Sequence, residues 1–354
     1  MAGSAAGKKI LIVRLGAMGD ILHAMPAVAA LRRRWPGCEF GWVIERRWAE
    51  LLSAPGEPLA GPVSETRPLV ERVHLADTRG WRKSLGKSTT WQEIFAFRRE
   101  LRAAHYDLAI DFQGAIKSAA IARLSGALEL CGFAAPRERA AARLYQHRFP
   151  ATAAHVVEQN LELASAIAGG AVQGDFLLPR SRQAEEWTDK FLQDVEGKRF
   201  AILNPGAGWG AKCWPVERFA EVARWLGGQG VLPLINSGPG EESLAEALIG
   251  AAGCGIRLDC TLSQLVELTR RSVLFVGGDT GPMHLAAALG TPLAALFGPT
   301  DPARNGPYSH KDSRAVVLRS RQSRTSYSHA ATRDAGLAGI AAQDVIRAIE
   351  VILE

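Results

Sequence analysis

The segment 277–301 holds the densest set of residues that could bind a phosphate. An apolar run ends in a pair of glycines, and Asp279 and Thr280 then precede Gly281, a proline and an Ala/Leu-rich stretch that contains His284. Glycines let backbone N–H groups approach an anion, and the start of a helix carries partial positive charge. The pattern predicts a strand, a phosphate-binding loop and a helix, with an ordinary turn capped by Asp279 as the alternative.

Two more loops of this kind follow apolar runs in the second half of the chain. The segment 204–215 is rich in glycine, Gly206 included, and carries Lys212, whose ammonium could pair with a phosphate as a point charge. In the segment 238–242, Glu241 could accept hydrogen bonds from ribose hydroxyls. A surface lysine and an acidic first helical turn are the alternatives. The three loops together predict a nucleotide-binding lobe.

A carboxylate also follows the first apolar run of the chain. The motif Gly16-Ala-Met-Gly19-Asp20 comes after residues 10–14 and lacks the three glycines of the dinucleotide-binding fingerprint. An aspartate at a strand end that faces a cleft could act as a general base on an acceptor hydroxyl. The alternative is a helix-capping aspartate.

These residues need a scaffold of strands with helices between them. Short Val/Ile/Leu runs alternate with Ala-rich helical stretches in two series, joined near residues 170–198. We predict strands at 10–14, 40–44, 70–75, 108–111, 201–204, 231–235, 273–276 and 293–297, a basic loop at 79–90, and helices that include 23–35, 91–104, 155–168, 215–226 and 344–353. Such alternation is typical of doubly wound α/β domains, here two, with a ligand cleft between them.

Composition narrows the class of protein further. A chain of 354 residues suits two domains, and 47% hydrophobic residues suffice for two cores. No apolar run reaches the roughly 18 residues that span a bilayer, and the first apolar stretch is too short for a signal peptide, so we expect a cytoplasmic protein. The five cysteines lack metal-ligand spacing, so we expect reduced thiols and no metal site.

The positive charge is concentrated in one part of the first half. Residues 79–148 carry 13 Lys/Arg and 6 Asp/Glu, a local charge of +7, which leaves about −1 for the rest of the net +6. A solvated basic face is the default interpretation, and a polyanionic partner is the more specific one. We expect no nucleic-acid partner, on the view that the basic stretch lacks interleaved aromatic rings for base stacking.

Four segments together resemble the bacterial ADP-heptose:lipopolysaccharide heptosyltransferases, glycosyltransferase family 9, and most of all the heptosyltransferase I branch. They are Gly-Asp-Thr-Gly-Pro-Met-His-Leu-Ala-Ala-Ala, the later Phe-Gly-Pro-Thr-Asp-Pro, the first loop Gly-Ala-Met-Gly-Asp, and Asn-Pro-Gly-Ala-Gly…Lys-Cys-Trp-Pro. The likeness runs from Ile10 to about Tyr308. It implies a GT-B fold, in which two Rossmann-like doubly wound lobes face each other across a cleft. The acceptor lobe would span residues 1–175, the nucleotide-sugar lobe 176–340, and a terminal helix at 341–354 would pack back on the first lobe.

The resemblance also implies an activity and a set of roles. The family transfers L-glycero-D-manno-heptose from ADP-heptose to a Kdo hydroxyl of Kdo₂-lipid A, with inversion and without a metal or cofactor. By this likeness Asp20 is the general base, and Lys212 stabilises the departing ADP. The implied donor-binding residues are Gly206, Lys212, Glu241, Asp279, Thr280, Gly281 and His284, and the implied acceptor-binding residues are Gly19, Asp20, Arg79, Arg82, Lys83, Lys117, Arg137 and Arg143.

The basic surface would also let the enzyme sit on the anionic inner leaflet of the membrane as a peripheral protein, without inserting. Two other GT-B activities stay open, a later-acting heptosyltransferase and a UDP-sugar 2-epimerase. A nucleotide- or RNA-binding module is the alternative that is not an enzyme.

Overall fold

The computed structural model describes residues 7–308, 314–326 and 334–354. The chain divides into two compact units, Met1–Ser181 and Arg182–Glu354, whereas the predicted boundary lay at residue 175. Each unit contains one six-stranded sheet whose paired strands are all parallel.

Between residues 7 and 181, the first unit carries five α-helices and a sheet in the order β3-β2-β1-β4-β5-β6. Its strands are β1 (Lys9–Val13), β2 (Glu39–Glu45), β3 (Arg72–Ala76), β4 (Leu108–Asp111), β5 (Glu129–Phe133) and β6 (His147–Phe149). Its helices are α1 (Met18–Arg34), α2 (Thr78–Lys83), α3 (Ser88–Ala103), α4 (Ile116–Leu124) and α5 (Val156–Ala168), with 3₁₀ turns at Arg46–Leu51 and Arg139–Leu144. The strand order reverses between β1 and β4, which is where open α/β sheets bind ligands.

Two predictions about local structure in this unit are wrong. Helix α1 begins at Met18 rather than near residue 23, because the Asp20 carboxylate accepts a hydrogen bond from the Ala17 N–H (3.1 Å) and so satisfies one of the free donors of the first turn. The stretch 79–90 is not a loop, since α2 covers its first part and α3 begins at Ser88. Asp77 caps α2 by accepting from the Gly80 N–H at 2.9 Å.

The second unit repeats the architecture in the order β12-β11-β10-β7-β8-β9. Its strands are β7 (Phe200–Asn204), β8 (Leu232–Ile235), β9 (Ile256–Arg257), β10 (Leu274–Gly278), β11 (Leu293–Phe297) and β12 (Ala315–Arg319). Its helices are α6 (Arg182–Asp194), α7 (Val216–Gly228), α8 (Glu242–Ala252), α9 (Leu262–Arg271), α10 (Gly281–Leu289), α11 (Pro302–Asn305), α12 (Ala335–Gly339) and α13 (Ala342–Leu353), with a 3₁₀ turn at Gly210–Lys212. Here the order reverses between β7 and β10.

The last helix belongs to the second unit. Val345, Ile346, Ile349 and Ile352 of α13 follow a helical spacing and are buried in the core of that unit, where the helix contacts α7, β11 and β12. The resemblance implied a return of this helix to the first lobe. The structure differs because the apolar stripe of α13 is already covered by its own sheet.

Candidate active site

The second unit joins three loops at the carboxyl ends of β7, β8 and β10. The side-chain N–H of Asn204 donates to the Gly206 carbonyl (2.9 Å) and to the Thr280 hydroxyl (3.4 Å). The Asn236 amide donates to the Asn204 side-chain oxygen at 2.6 Å. Both asparagines are buried, so these bonds replace lost contacts with water. Asn236 was not predicted from the sequence. Its position was a usable signal, because it directly follows β8, just as Asn204 is the last residue of β7.

A chain of charges lies beside these amides. The Lys212 ammonium donates to Asp279 Oδ2 at 2.6 Å and to the Asp279 carbonyl at 3.2 Å. His284 Nε2 lies 3.0 Å from Asp279 Oδ1. The three side chains are only 13%, 6% and 7% exposed for Lys212, Asp279 and His284. Asp279 therefore fixes the position of the lysine and does not cap a turn.

The charges set the protonation state of Asp279. Burial by itself disfavours a carboxylate, but the hydrogen bonds from His284 and Lys212 and the charge of the Lys212 ammonium outweigh it and hold the pKa of Asp279 well below its usual range. The aspartate is thus ionised at any physiological pH. It can orient Lys212 without taking up a proton itself.

Aromatic residues on both sides hold the Lys212 loop in place. The Lys212 ammonium lies 4.9 Å from the centre of the Trp209 ring, within range of a cation–π contact. Trp214 is buried, packs edge-on against Phe219 with ring centres 4.8 Å apart, and donates its indole N–H to the Ile340 carbonyl at 3.0 Å. The loop is therefore anchored in the core two residues after the lysine.

The Glu241 carboxylate lies directly against the β7 loop. It accepts a hydrogen bond from the Gly238 N–H at 2.9 Å, and a Cβ at Gly206 would come within 2.0 Å of its Oε2 atom. A side chain at position 206 would force the Glu241 carboxylate to move, so the glycine allows the present contact between the two loops. The structure thus brings Glu241 and Gly206 into one cluster with the asparagine bridge.

Helix α10 begins at the same edge of the sheet. Thr280 is its N-cap residue, Pro282 lies in its first turn, and the Thr280 hydroxyl donates to the Gly278 carbonyl at 3.2 Å. A Cβ at Gly278 would lie 3.0 Å from the Lys212 carbonyl, so the glycine allows the two loops to approach. The helix start and Lys212 place positive charge side by side, which suits an anion. All seven residues predicted for the donor are thus gathered at one edge of this sheet.

In the first unit, Asp20 lies in the first turn of α1 with its side chain 39% exposed. Oδ1 forms an ion pair with Arg14 Nη2 at 2.8 Å, and Oδ2 accepts from the Ala17 N–H at 3.1 Å. A carboxylate has about four acceptor positions, so each oxygen keeps room for one more donor. Asp20 therefore does cap the first turn of α1, as the alternative interpretation predicted. The bonds to Arg14 and Ala17 still leave each carboxylate oxygen with one position that an acceptor hydroxyl could occupy.

The partner Arg14 is itself held in place by the loop after β4. Its Nη1 donates to the Phe112 carbonyl at 2.7 Å, and only 8% of the residue is exposed. The Leu15 N–H donates to the Gln113 side-chain oxygen at 2.9 Å. Asp111 is fully buried and accepts four hydrogen bonds, from the N–H groups of residues 113 and 114 and from the hydroxyls of Ser118 and Tyr145. Burial raises the pKa of Asp111 in spite of these bonds, and its four partners tie the β4 loop to α4 and to Tyr145.

The basic residues predicted for the acceptor all lie at the surface of the first unit. Arg79, Arg82 and Lys83 belong to α2, Lys117 begins α4, and Arg137 and Arg143 lie between β5 and β6; Gly19, also predicted, is buried in α1. The Lys117 ammonium donates to the Thr78 hydroxyl at 3.4 Å, and that hydroxyl in turn donates to the buried Glu45 carboxylate. This contact brings Lys117 to the start of α2, next to Arg79.

The described residues form neither a metal-binding cluster nor a membrane-spanning helix. Within residues 7–308, 314–326 and 334–354, no group of three or more His, Cys, Asp or Glu side chains could hold a metal ion. In the same ranges, no helix combines the length and the hydropathy needed to cross a bilayer. None of the five cysteines, all of which lie within these ranges, takes part in a disulfide.

The family model for glycosyltransferase family 9 (heptosyltransferase) matches residues 94–332, which is more than half of the chain. The chain belongs to this family. Sequence similarity to a curated relative supports this membership. The lipopolysaccharide heptosyltransferase 1 of Pseudomonas aeruginosa is 30% identical over 308 residues, which cover 85% of this chain and 81% of the relative.

Solved structures agree with the family 9 assignment. The Escherichia coli heptosyltransferase WaaC with ADP matches with a TM-score of 0.77 and 28% identity, over 97% of this chain and 99% of that one. The same enzyme with ADP-2-deoxy-2-fluoro heptose matches with a TM-score of 0.75 and 28% identity over the same shares. The predicted GT-B fold class is confirmed, and this family 9 member is a glycosyltransferase with the α/β architecture of the solved heptosyltransferases.

Proposed function

We propose that this enzyme transfers L-glycero-D-manno-heptose from ADP-heptose to a Kdo hydroxyl of Kdo₂-lipid A, in the synthesis of the lipopolysaccharide inner core. The observation that carries the proposal is the cluster of Lys212, Asp279 and the start of α10, which presents positive charge at the switch point of the second sheet. The similar E. coli enzyme has been solved with ADP and with a fluorinated ADP-heptose.

The donor fits this cluster group by group. The diphosphate would lie at the N–H groups of Thr280 and Gly281, with Lys212 beside it, since both carry positive charge at one edge of the sheet. Glu241, a partly exposed carboxylate between the β7 and β8 loops, would accept the ribose hydroxyls. Asp279 and His284 would line the heptose pocket and orient Lys212.

The reaction we propose is a single displacement with inversion. The acceptor oxygen forms a bond to the anomeric carbon of heptose, while the bond from that carbon to the β-phosphate oxygen breaks. The acceptor proton passes to Asp20, and the negative charge that develops on the leaving oxygen is stabilised by Lys212 and the start of α10. The proposal includes no metal, because the lysine and the helix start supply the positive charge that a metal would bring.

The acceptor would bind at the basic surface of the first unit. Kdo carries a carboxylate and lipid A carries phosphates, which complement exposed arginines and lysines. Lys117 bonds to Thr78, the residue before Arg79 in α2, and these two cations are the first candidates for an anionic group. Because this acceptor is a membrane lipid, we also propose that the enzyme works at the cytoplasmic face of the inner membrane.

Product analysis tests the proposed function directly. The enzyme is mixed with ADP-heptose and Kdo₂-lipid A in the presence of EDTA, and the lipid product is examined by mass spectrometry. We expect the mass of one added heptose and the release of ADP. A product that forms only on an acceptor already carrying heptose would show a later-acting heptosyltransferase. Stronger thermal stabilisation by UDP than by ADP would favour a UDP-sugar enzyme instead.

Alkylation of Cys213 is expected to report the position of the donor. This thiol is partly exposed and directly follows Lys212, with Sγ 3.8 Å from the Trp209 carbonyl. Saturating ADP should slow its reaction with iodoacetamide several-fold, as followed by peptide mass spectrometry, because bound ligand covers the loop. Cys254, which is also partly exposed but lies beyond α8, is the internal control. Equal rates at Cys213 with and without bound ADP would contradict this placement.

Arg14 is expected to act as a positioning residue for Asp20. Removing its guanidinium in Arg14→Met should lower kcat by about tenfold to a hundredfold with little change in the KM for ADP-heptose, because misplacing a reacting group by about 1 Å costs this much. Arg14→Lys keeps the charge and should recover part of the loss.

The control is Arg32→Lys, at another arginine–carboxylate pair of the same unit, where Arg32 Nη2 lies 2.5 Å from Glu71 Oε1. We expect this variant to keep full kcat. A merely structural role of Arg14 would lower the melting temperature in Arg14→Met while kcat per folded molecule and its pH profile stay unchanged.

A further inference from the structure

Helix α3 carries aromatic residues on two opposite faces. On the inner face, Phe97 and Leu101 are buried in the core of the first unit, and Trp81 packs at a tilt against Phe97 with ring centres 5.3 Å apart. On the outer face, Trp91 and Phe95 are 47% and 59% exposed, one helical turn apart, with ring centres separated by 6.4 Å. The core of the unit does not use this outer pair.

The apolar surface continues beyond the helix. The Trp91 indole N–H donates to the Leu85 carbonyl at 2.9 Å, which holds the ring beside a leucine that is 49% exposed. Among the described residues, six of the ten exposed large hydrophobic side chains lie between residues 85 and 128: Leu85, Trp91, Phe95, Ile116, Leu124 and Leu128. Leu85, Trp91 and Phe95 adjoin one another, and a contiguous exposed apolar patch of this kind marks an interaction surface.

Positive charge surrounds this surface. Residues 79–102 contain seven Lys/Arg, namely Arg79, Arg82, Lys83, Lys87, Arg98, Arg99 and Arg102, and two acids. Both acids have partners, since Glu93 accepts from the Trp81 indole and Glu100 pairs with His74. Trp91, Phe95, Arg99 and Arg102 follow one another at helical spacing and are all exposed. We call these four residues with Leu85 the outer face of α3.

We propose that the outer face of α3 docks on an anionic bilayer, with Trp91 and Phe95 inserted at the boundary of headgroups and acyl chains. A helix with aromatic residues beside basic ones is the composition of an interfacial helix, and cations close to an anionic surface are attracted to it. This shallow insertion replaces the purely electrostatic contact expected from the sequence. The docking proposal rests on the proposed function in one respect only, namely that docking would bring the enzyme to an acceptor carried by a lipid.

Two other occupants fit the surface less well. A second copy of the chain in a symmetric dimer would set this basic patch against itself, which like charges oppose. For nucleic acid, the expectation that the basic stretch lacks interleaved aromatics was wrong, since Trp81, Trp91 and Phe95 lie among the cations. Leu85 next to Trp91, however, offers no ring for base stacking, whereas it suits acyl chains.

Vesicle binding of the full-length enzyme tests the proposal. Sedimentation with vesicles of phosphatidylglycerol and phosphatidylethanolamine should retain the wild type, and vesicles of phosphatidylcholine alone should retain much less. Trp91→Ser with Phe95→Ser should weaken binding to the anionic vesicles by about tenfold or more. Trp91→Phe with Phe95→Leu stays apolar and should bind like the wild type. The control is Val351→Ser, which removes an apolar residue that is even more exposed, at 67%, from α13.

Activity assays separate this proposal from the proposed function. The double serine variant should lose transfer to acceptor embedded in vesicles and keep transfer to acceptor stripped of its acyl chains. The proposal would be overturned if the double serine variant bound vesicles as well as the wild type does. It would also be overturned if the wild type were a dimer that this substitution converts to a monomer, or if the wild type retained RNA that the variant loses. If no variant transfers heptose to either acceptor, the proposed function fails while the vesicle result still decides the docking surface.

Discussion

An Asp20→Asn variant is expected to turn over about 10²- to 10⁴-fold more slowly than the wild-type enzyme, which is the usual contribution of a general base. The amide keeps the size of the side chain and an oxygen that can still accept from the Ala17 N–H. It cannot take up the proton of the acceptor hydroxyl. Affinity for ADP-heptose, measured by calorimetry, should stay nearly unchanged, because the donor cluster belongs to the other sheet.

Asp344→Asn is the matched control for this experiment. Asp344 lies in the first turn of α13, as Asp20 does in α1, and it also pairs with an arginine, with Arg347 Nη2 2.5 Å from its Oδ1. Asp344→Asn should lower the melting temperature slightly, by the small cost of a surface ion pair, and Asp20→Asn should lower it more, because its partner Arg14 is buried. Only Asp20→Asn should lower kcat. Normal turnover of Asp20→Asn would remove Asp20 from the role of base.

The parts of the fold that sequence patterns predicted are the central strands. In β1, β4, β7 and β10, nearly every residue is buried, because helices cover both faces of a parallel sheet, so these strands appear as continuous apolar runs. The ligand loops follow these runs directly. This is why Asp20, Lys212 and Asp279 could be named from spacing alone.

The parts that escaped prediction have weak local signals. The edge strands β6 and β9 contain three and two residues, too few for any periodicity to show. The start of α1 was hidden by its glycine at position 19, which favours a loop. The place of α13 was missed because a buried stripe of isoleucines shows that a helix packs, but not against which sheet.

The pairing within the site was also beyond sequence reasoning. Lys212 and Asp279 are separated by 67 residues and meet because β10 pairs with β7 in the register that sets Gly277 opposite Asn204. Strand order and register depend on packing of the whole sheet. The same register brings Thr280 to the Asn204 amide, so the asparagine bridge could be found only in three dimensions.

A Lys212→Ala variant should bind ADP about tenfold to a hundredfold more weakly and transfer heptose about 10²- to 10³-fold more slowly. The ammonium would contact the β-phosphate in the bound donor, so calorimetry should show a much smaller effect on AMP, which lacks that group. The loss in kcat should exceed the loss in binding, because negative charge on the leaving oxygen grows as the glycosidic bond breaks. Lys212→Arg keeps the charge and should retain part of both.

Stability has to be separated from chemistry here, because Lys212 also neutralises the buried Asp279. Removing one partner of a buried ion pair destabilises the fold by as much as about 3–5 kcal/mol. Asp279→Asn breaks the same ion pair but keeps the lysine, so the melting temperatures of the two variants together measure how far loss of the pair lowers stability. Lys198→Ala, at the exposed pair of Lys198 with Glu196, controls for loss of a surface charge. If Lys212→Ala bound ADP and AMP as the wild type does, the positive charge that we assign to the diphosphate would have to come from the start of α10 without the lysine.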